Sequence, residues 1–134
     1  MKDLSKKNAY RLPKNRRLEL EHYCRQYHSI KGRVIFLLES SVMPSRTSTP
    51  GRGKEWSDRT GETAVELTRL KARITPIERA IDMLDESVKY CVFENVTNGT
   101  SYDVMNAKHP MPVSRQEFYS EVRKFFYLLS ELRN

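Results

Sequence analysis

The sequence predicts an all-α fold: a small helical domain with a C-terminal helix-turn-helix and a long N-terminal helix or helical pair. Three observations carry this. Apolar residues recur at three- and four-residue steps through most of the chain, the spacing that lines one face of a helix. Two segments, "TPIE" and "SRQE", have the form of capping boxes just before apolar runs. The only β-rich run, residues 34–38, lies inside a helical pattern. A chain of 134 residues has room for one domain with a core and an arm, but not for two domains of ordinary size.

Residues 1–12 are polar and basic without periodicity and are expected to form an arm. Pro13 suits a helix start, where its missing N–H is not needed. Leu20, Tyr23, Cys24, Tyr27, Ile30, Val34, Leu37 and Leu38 then fall on one face, so residues 13–40 are one helix, or two broken near Gly32. Residues 41–61, rich in Ser, Thr, Pro, Gly and Arg, read as a flexible loop. Trp56 within it is expected to latch onto the helices.

Residues 62–134 form the helical domain. Ala64, Leu67, Leu70 and Ile74 resume the helical period. Thr75 is expected to cap a new helix, with Pro76 in its first turn, Glu78 reaching back, and Ile77, Ala80, Ile81 and Leu84 facing inward. Asp85 caps the next helix, which carries Val88, Cys91, Val92 and Val96 and stops at Asn98-Gly99, since glycine takes the left-handed cap without steric cost. Thr100 or Ser101 caps a short helix, Tyr102 to Lys108, that cannot continue through Pro110 and Pro112. Ser114 with Glu117 opens the last helix. There Phe118, Val122, Phe125, Phe126 and Leu129 form one apolar face.

Charge and chemistry narrow the function. The formal net charge is +7, which favours anionic partners. Residues 1–40 hold ten basic and four acidic residues, and residues 101–134 hold five and four. No apolar run is long enough to span a membrane, and the N-terminal segment lacks the apolar stretch of a signal peptide, so a cytoplasmic location in a bacterial host cell, without membrane partners, is expected. Cys24 and Cys91 are then expected to be reduced core residues. Cys24 and His28 stand four apart on a helix, but two residues do not make a zinc site; "GRGK" lacks the following Ser or Thr and the preceding strand of a phosphate loop. Paired carboxylates and nucleophile–base pairs do not converge: Glu19, Glu21, Asp82, Asp85 and Glu86 are better read as caps and solvated faces. The expectation is a non-enzyme without cofactors.

The order short helix, connector, long helix over residues 101–132 is that of a helix-turn-helix. The phrase "NGTSYDVMNAKHPMPVSRQEFYSEVRKFFYLLSEL" resembles region 4 of sigma-70 factors and related phage regulators. With "DLSKKNAYRLPKNRRLELEHYCRQY" and "ETAVELTRLKARITPIERAI" it makes the chain similar to small phage and prophage proteins of the RinA family of late-gene transcriptional activators. The resemblance implies a DNA-binding regulator of late transcription, with double-stranded DNA and RNA polymerase as partners and scope for homo-oligomers. In the last helix Arg115, Gln116, Tyr119, Ser120 and Arg123 lie away from the apolar face, where arginine suits guanine, glutamine suits adenine, and the opening turn attracts phosphate. Lys124 and the N-terminal cluster Lys6, Lys7, Arg11, Lys14, Arg16 and Arg17 are the expected phosphate contacts. Two other readings fit a basic helical protein: a phage inhibitor that binds a host nucleoprotein or defence complex, and a DNA-binding packaging subunit.

Overall fold

The computed structural model describes residues 10–42 and 53–133, with side chains over residues 10–40 and 61–133. The described residues are all-helical, with α1 (Lys14–Arg25), α2 (Tyr27–Val42), α3 (Gly53–Asp82), α4 (Glu86–Asn98), α5 (Tyr102–Lys108) and α6 (Arg115–Leu132). The expected all-α class is what the chain adopts.

The helix break in the N-terminal half falls at Gln26, not near Gly32. Gln26 has φ −84° and ψ −7°, and its N–H bonds to the carbonyl of Tyr23 at 3.2 Å, a tightened turn. Tertiary contacts on the next residue accompany this break. Tyr27 is buried, its ring meets Phe93 edge-on at 5.0 Å, and its hydroxyl donates to Glu78 Oε2 at 2.9 Å. Gly32 continues α2 without interruption.

Two other expectations change. The loop expected over residues 41–61 gives way to helix at Gly53, because Lys54, Glu55 and Arg59 are good helix formers among the Gly, Ser and Thr that suggest a loop. The expected latch of Trp56 concerns a side chain outside the described residues. The helix start at Thr75 is absent too, since α3 runs through Pro76. The Thr75 hydroxyl donates back to the carbonyl of Lys71 at 2.7 Å, and Glu78 accepts from Tyr27, so neither side chain closes a capping box. Pro76 removes one backbone bond, and such a step is tolerated when the neighbouring face is buried, as Ile74, Ile77, Ala80 and Ile81 are.

The chain divides into two units, one of Met1–Tyr27 with Pro76–Asn134, the other His28–Thr75. In the first, α1, α4 and α6 pack pairwise. Its core holds Leu20 and Cys24 from α1, Val88, Val92 and Val96 from α4, and Phe118, Val122, Phe125, Phe126 and Leu129 from α6, each at most 4% exposed. The second unit buries Ile30, Val34, Leu37 and Ile74, and Arg33 Nε meets Glu66 Oε1 at 3.2 Å.

The expected caps form at α4, α5 and α6. Asp85 accepts from the Ser87 N–H at 3.0 Å, which holds its carboxyl below the usual range. Ser101 accepts from the Val104 N–H at 3.3 Å, and Ser114 from the Glu117 N–H at 3.2 Å. Gly99 takes the left-handed conformation at φ 77° and ends α4.

Candidate nucleic-acid interface

The interface expected from the sequence lies wholly within the first unit. Its opening turn is fixed by α5 and the connector rather than by a short turn. The Tyr102 hydroxyl donates to the carbonyl of Val113 at 2.8 Å, and its ring lies 5.6 Å from that of Phe118. Asn106 Oδ1 accepts from the Met111 N–H at 3.1 Å. These bonds fasten the middle and the far end of the proline-rich segment to α5, a helix that buries no residue of its own. The sequence gives no periodic signal for such contacts, because they join residues five and eleven apart across an irregular segment.

On α6 the apolar row is buried as its spacing predicts. Arg115, Gln116 and Ser120 are exposed, while Tyr119, Arg123 and Lys124 are half-buried. Arg115 is not idle in the free protein. Its Nη1 lies 3.4 Å from Asp103 Oδ2, and its guanidinium carbon lies 5.9 Å from the Tyr119 ring centre. Both partners of the ion pair are well exposed, so it is worth about 0–1 kcal/mol and is readily exchanged for another anion. Tyr119 in turn stacks edge-on against Phe118 at 5.0 Å, which limits its freedom. Arg123 makes no ion pair among the described residues, and its Nε is buried without a hydrogen-bond partner. Lys124 carries a charge near enough to Asp85 to help lower that carboxyl, behind the Ser87 hydrogen bonds.

The N-terminal cations divide by role. Lys6 and Lys7 lie outside the described residues. Arg11 and Lys14 are exposed. Arg16 is committed within the fold: its Nε donates to Ser130 Oγ at 3.1 Å, Nη2 donates to the Ser130 carbonyl at 3.3 Å, and Nη1 meets Glu19 at 3.2 Å. That carbonyl belongs to the last turn of α6, where intrahelical donors run out, so Arg16 completes the helix end. Arg17 pairs with Glu21 at 3.7 Å. Arg133 adds a further strut, 3.5 Å from Glu19 and 3.9 Å above the Tyr23 ring.

One contact was not foreseen from the sequence. Tyr10 meets Tyr127 edge-on, with ring centres 5.4 Å apart, and so brings the residue just before Arg11 onto α6. Tyr127 follows Ser120 by seven residues and Arg123 by four, so these positions share one side of the helix.

No group of three or more His, Cys, Asp or Glu among the described residues could hold a metal ion. Cys24 is fully buried, and burial pushes its thiol up to about 12, which disfavours the thiolate that a metal would need. No helix among the described residues is long and apolar enough to cross a membrane. Comparison with protein families, with curated proteins and with solved structures finds no match.

Proposed function

We propose that this chain is a phage transcription regulator that binds double-stranded DNA with α6, aided by the N-terminal basic segment. The observation that carries the reading is the Tyr10–Tyr127 contact: it sets the most basic part of the chain beside the helix whose Arg115, Gln116 and Ser120 are exposed. A base-reading helix with a net charge too small for tight binding then gains phosphate contacts from Arg11 and Lys14. The capped start of α6 offers free backbone N–H groups to a phosphate, and Arg115 and Gln116 in its first turn can reach base edges. Late genes are the target that the family resemblance implies, and RNA polymerase is the partner that activation requires.

Fluorescence anisotropy with late-promoter DNA and a scrambled duplex, across a salt series, tests this. Arg115→Ala should weaken binding to the promoter by about 1–3 kcal/mol, the worth of a bidentate base contact, and shrink the difference between the two duplexes. Asp103→Asn should tighten binding up to about fivefold, because Arg115 no longer exchanges one anion for another. Lys14→Ala should lower affinity for both duplexes alike and reduce the salt slope by about one. Equal affinity of the parent for both duplexes, or indifference to Arg115→Ala, removes α6 from the reader's role.

A further inference from the structure

α2 presents a second row of residues that the DNA reading does not use. His28, Gly32, Ile35 and Glu39 stand at steps of four, three and four, the spacing of a helix-pairing seam, and all four are exposed. Ile35 is 45% exposed and its neighbour Phe36 56%, large values for apolar side chains on a helix whose other side buries Ile30, Val34 and Leu37. Among the described residues, nothing requires a glycine at Gly32. It is helical, it has no left-handed φ, and a Cβ built there meets nothing within 4 Å. A glycine inside a helix costs about 0.5–1 kcal/mol relative to alanine, so a notch here is unexplained by the packing of the described residues.

We infer that this seam is the docking surface for a second copy of the chain, with α2 pairing antiparallel to its counterpart about a two-fold axis midway between Arg33 and Val34. The seam complements itself in that orientation. Reversal about that point sets His28 opposite Glu39 of the other copy and Ile35 opposite the notch at Gly32. Each match occurs twice, as an isologous interface requires. A parallel pairing instead sets Glu39 against Glu39 and leaves Gly32 facing Gly32 with a void between them. The closed, two-fold arrangement removes Ile35 from water, and the placement of His28 at one end of the seam and Glu39 at the other fixes the direction. The inference is independent of the DNA reading, since it uses neither α6 nor the N-terminal segment.

Sedimentation velocity of the full chain without DNA, over a wide concentration range, tests it. The parent should convert from monomer to dimer as concentration rises. Gly32→Leu should weaken dimerisation at least tenfold while leaving the melting temperature of the dilute monomer unchanged or higher, a combination that a purely intramolecular role for Gly32 cannot produce. Glu39→Lys should also shift the chain to monomer, and the pair His28→Glu with Glu39→Lys should restore the dimer. A parent that stays monomeric at every concentration overturns the inference. So does a dimer that Gly32→Leu and Glu39→Lys leave intact, because its interface then lies elsewhere. Circular dichroism of each variant confirms that helix content is retained, as is expected for substitutions at exposed positions.

Discussion

Arg16 and Arg115 show how the same residue type takes opposite roles once its neighbours are known. Both are basic residues near helix starts, and the sequence alone assigns both to DNA. Arg16 spends its three nitrogens on Ser130 and Glu19, whereas Arg115 holds only an exposed carboxylate. Arg16→Ala should therefore lower stability by about 1 kcal/mol, read as a fall in the urea midpoint, because a helix-end carbonyl loses its donor. A midpoint unchanged by that substitution, together with a smaller salt slope for DNA, would return Arg16 to the phosphate contacts. Phe125 needs no such arbitration. It is fully buried, and Phe125→Ala should cost roughly 3–5 kcal/mol by the same measurement, since the lost ring leaves a cavity among α1, α4 and α6.

Among the helices, termini were more legible than interiors. Ser101, Ser114, Asp85 and Gly99 act as the caps that their residue types favour, because a cap is a local event between a side chain and a backbone group two or three positions away. Ser114→Ala should destabilise the start of α6 by about 1 kcal/mol. Gly99→Ala should cost at least as much. The added methyl meets a left-handed backbone and also the Arg25 guanidinium, which lies where the Cβ would stand. Thermal unfolding of both variants checks this, and an unchanged midpoint for Gly99→Ala would show that α4 ends without the left-handed turn. Thr75 and Gly32 are the counterexamples. Both carry good boundary signals, yet helix continues through them, because the buried faces of α2 and α3 outweigh a propensity of about 1 kcal/mol at Gly32 and of about 3 kcal/mol at Pro76, the residue after Thr75.

For the molecule as a whole, the core sets an alkaline limit. Burial pushes Cys24 up to about 12 from its ordinary 9.0, and pushes Tyr27 up to about 12 from 10.0, with the Glu78 hydrogen bond adding to the effect on Tyr27. The fold therefore prefers both groups neutral. Their share of stability is complete below the unfolded values and is withdrawn as the pH climbs from 9 toward 12. Urea midpoints should hold level up to about pH 9 and then fall, and the double variant Cys24→Ala with Tyr27→Phe should fall less steeply than the parent. An equal slope for the two proteins would locate the alkaline transition in other groups. The sequence by itself determined the helical class, the apolar face of α6, the caps of α4, α5 and α6, and the basic bias of the N-terminal segment. Each of these depends on period, local chemistry or charge, which reach no further than a few residues. Tertiary structure alone decided that the first break falls at Gln26, that α3 passes through Pro76, that Arg16 fastens α1 to the end of α6, and that Tyr10 lies on Tyr127. Those outcomes rest on contacts between residues as much as 117 apart, 10 to 127, whose energies no local pattern encodes.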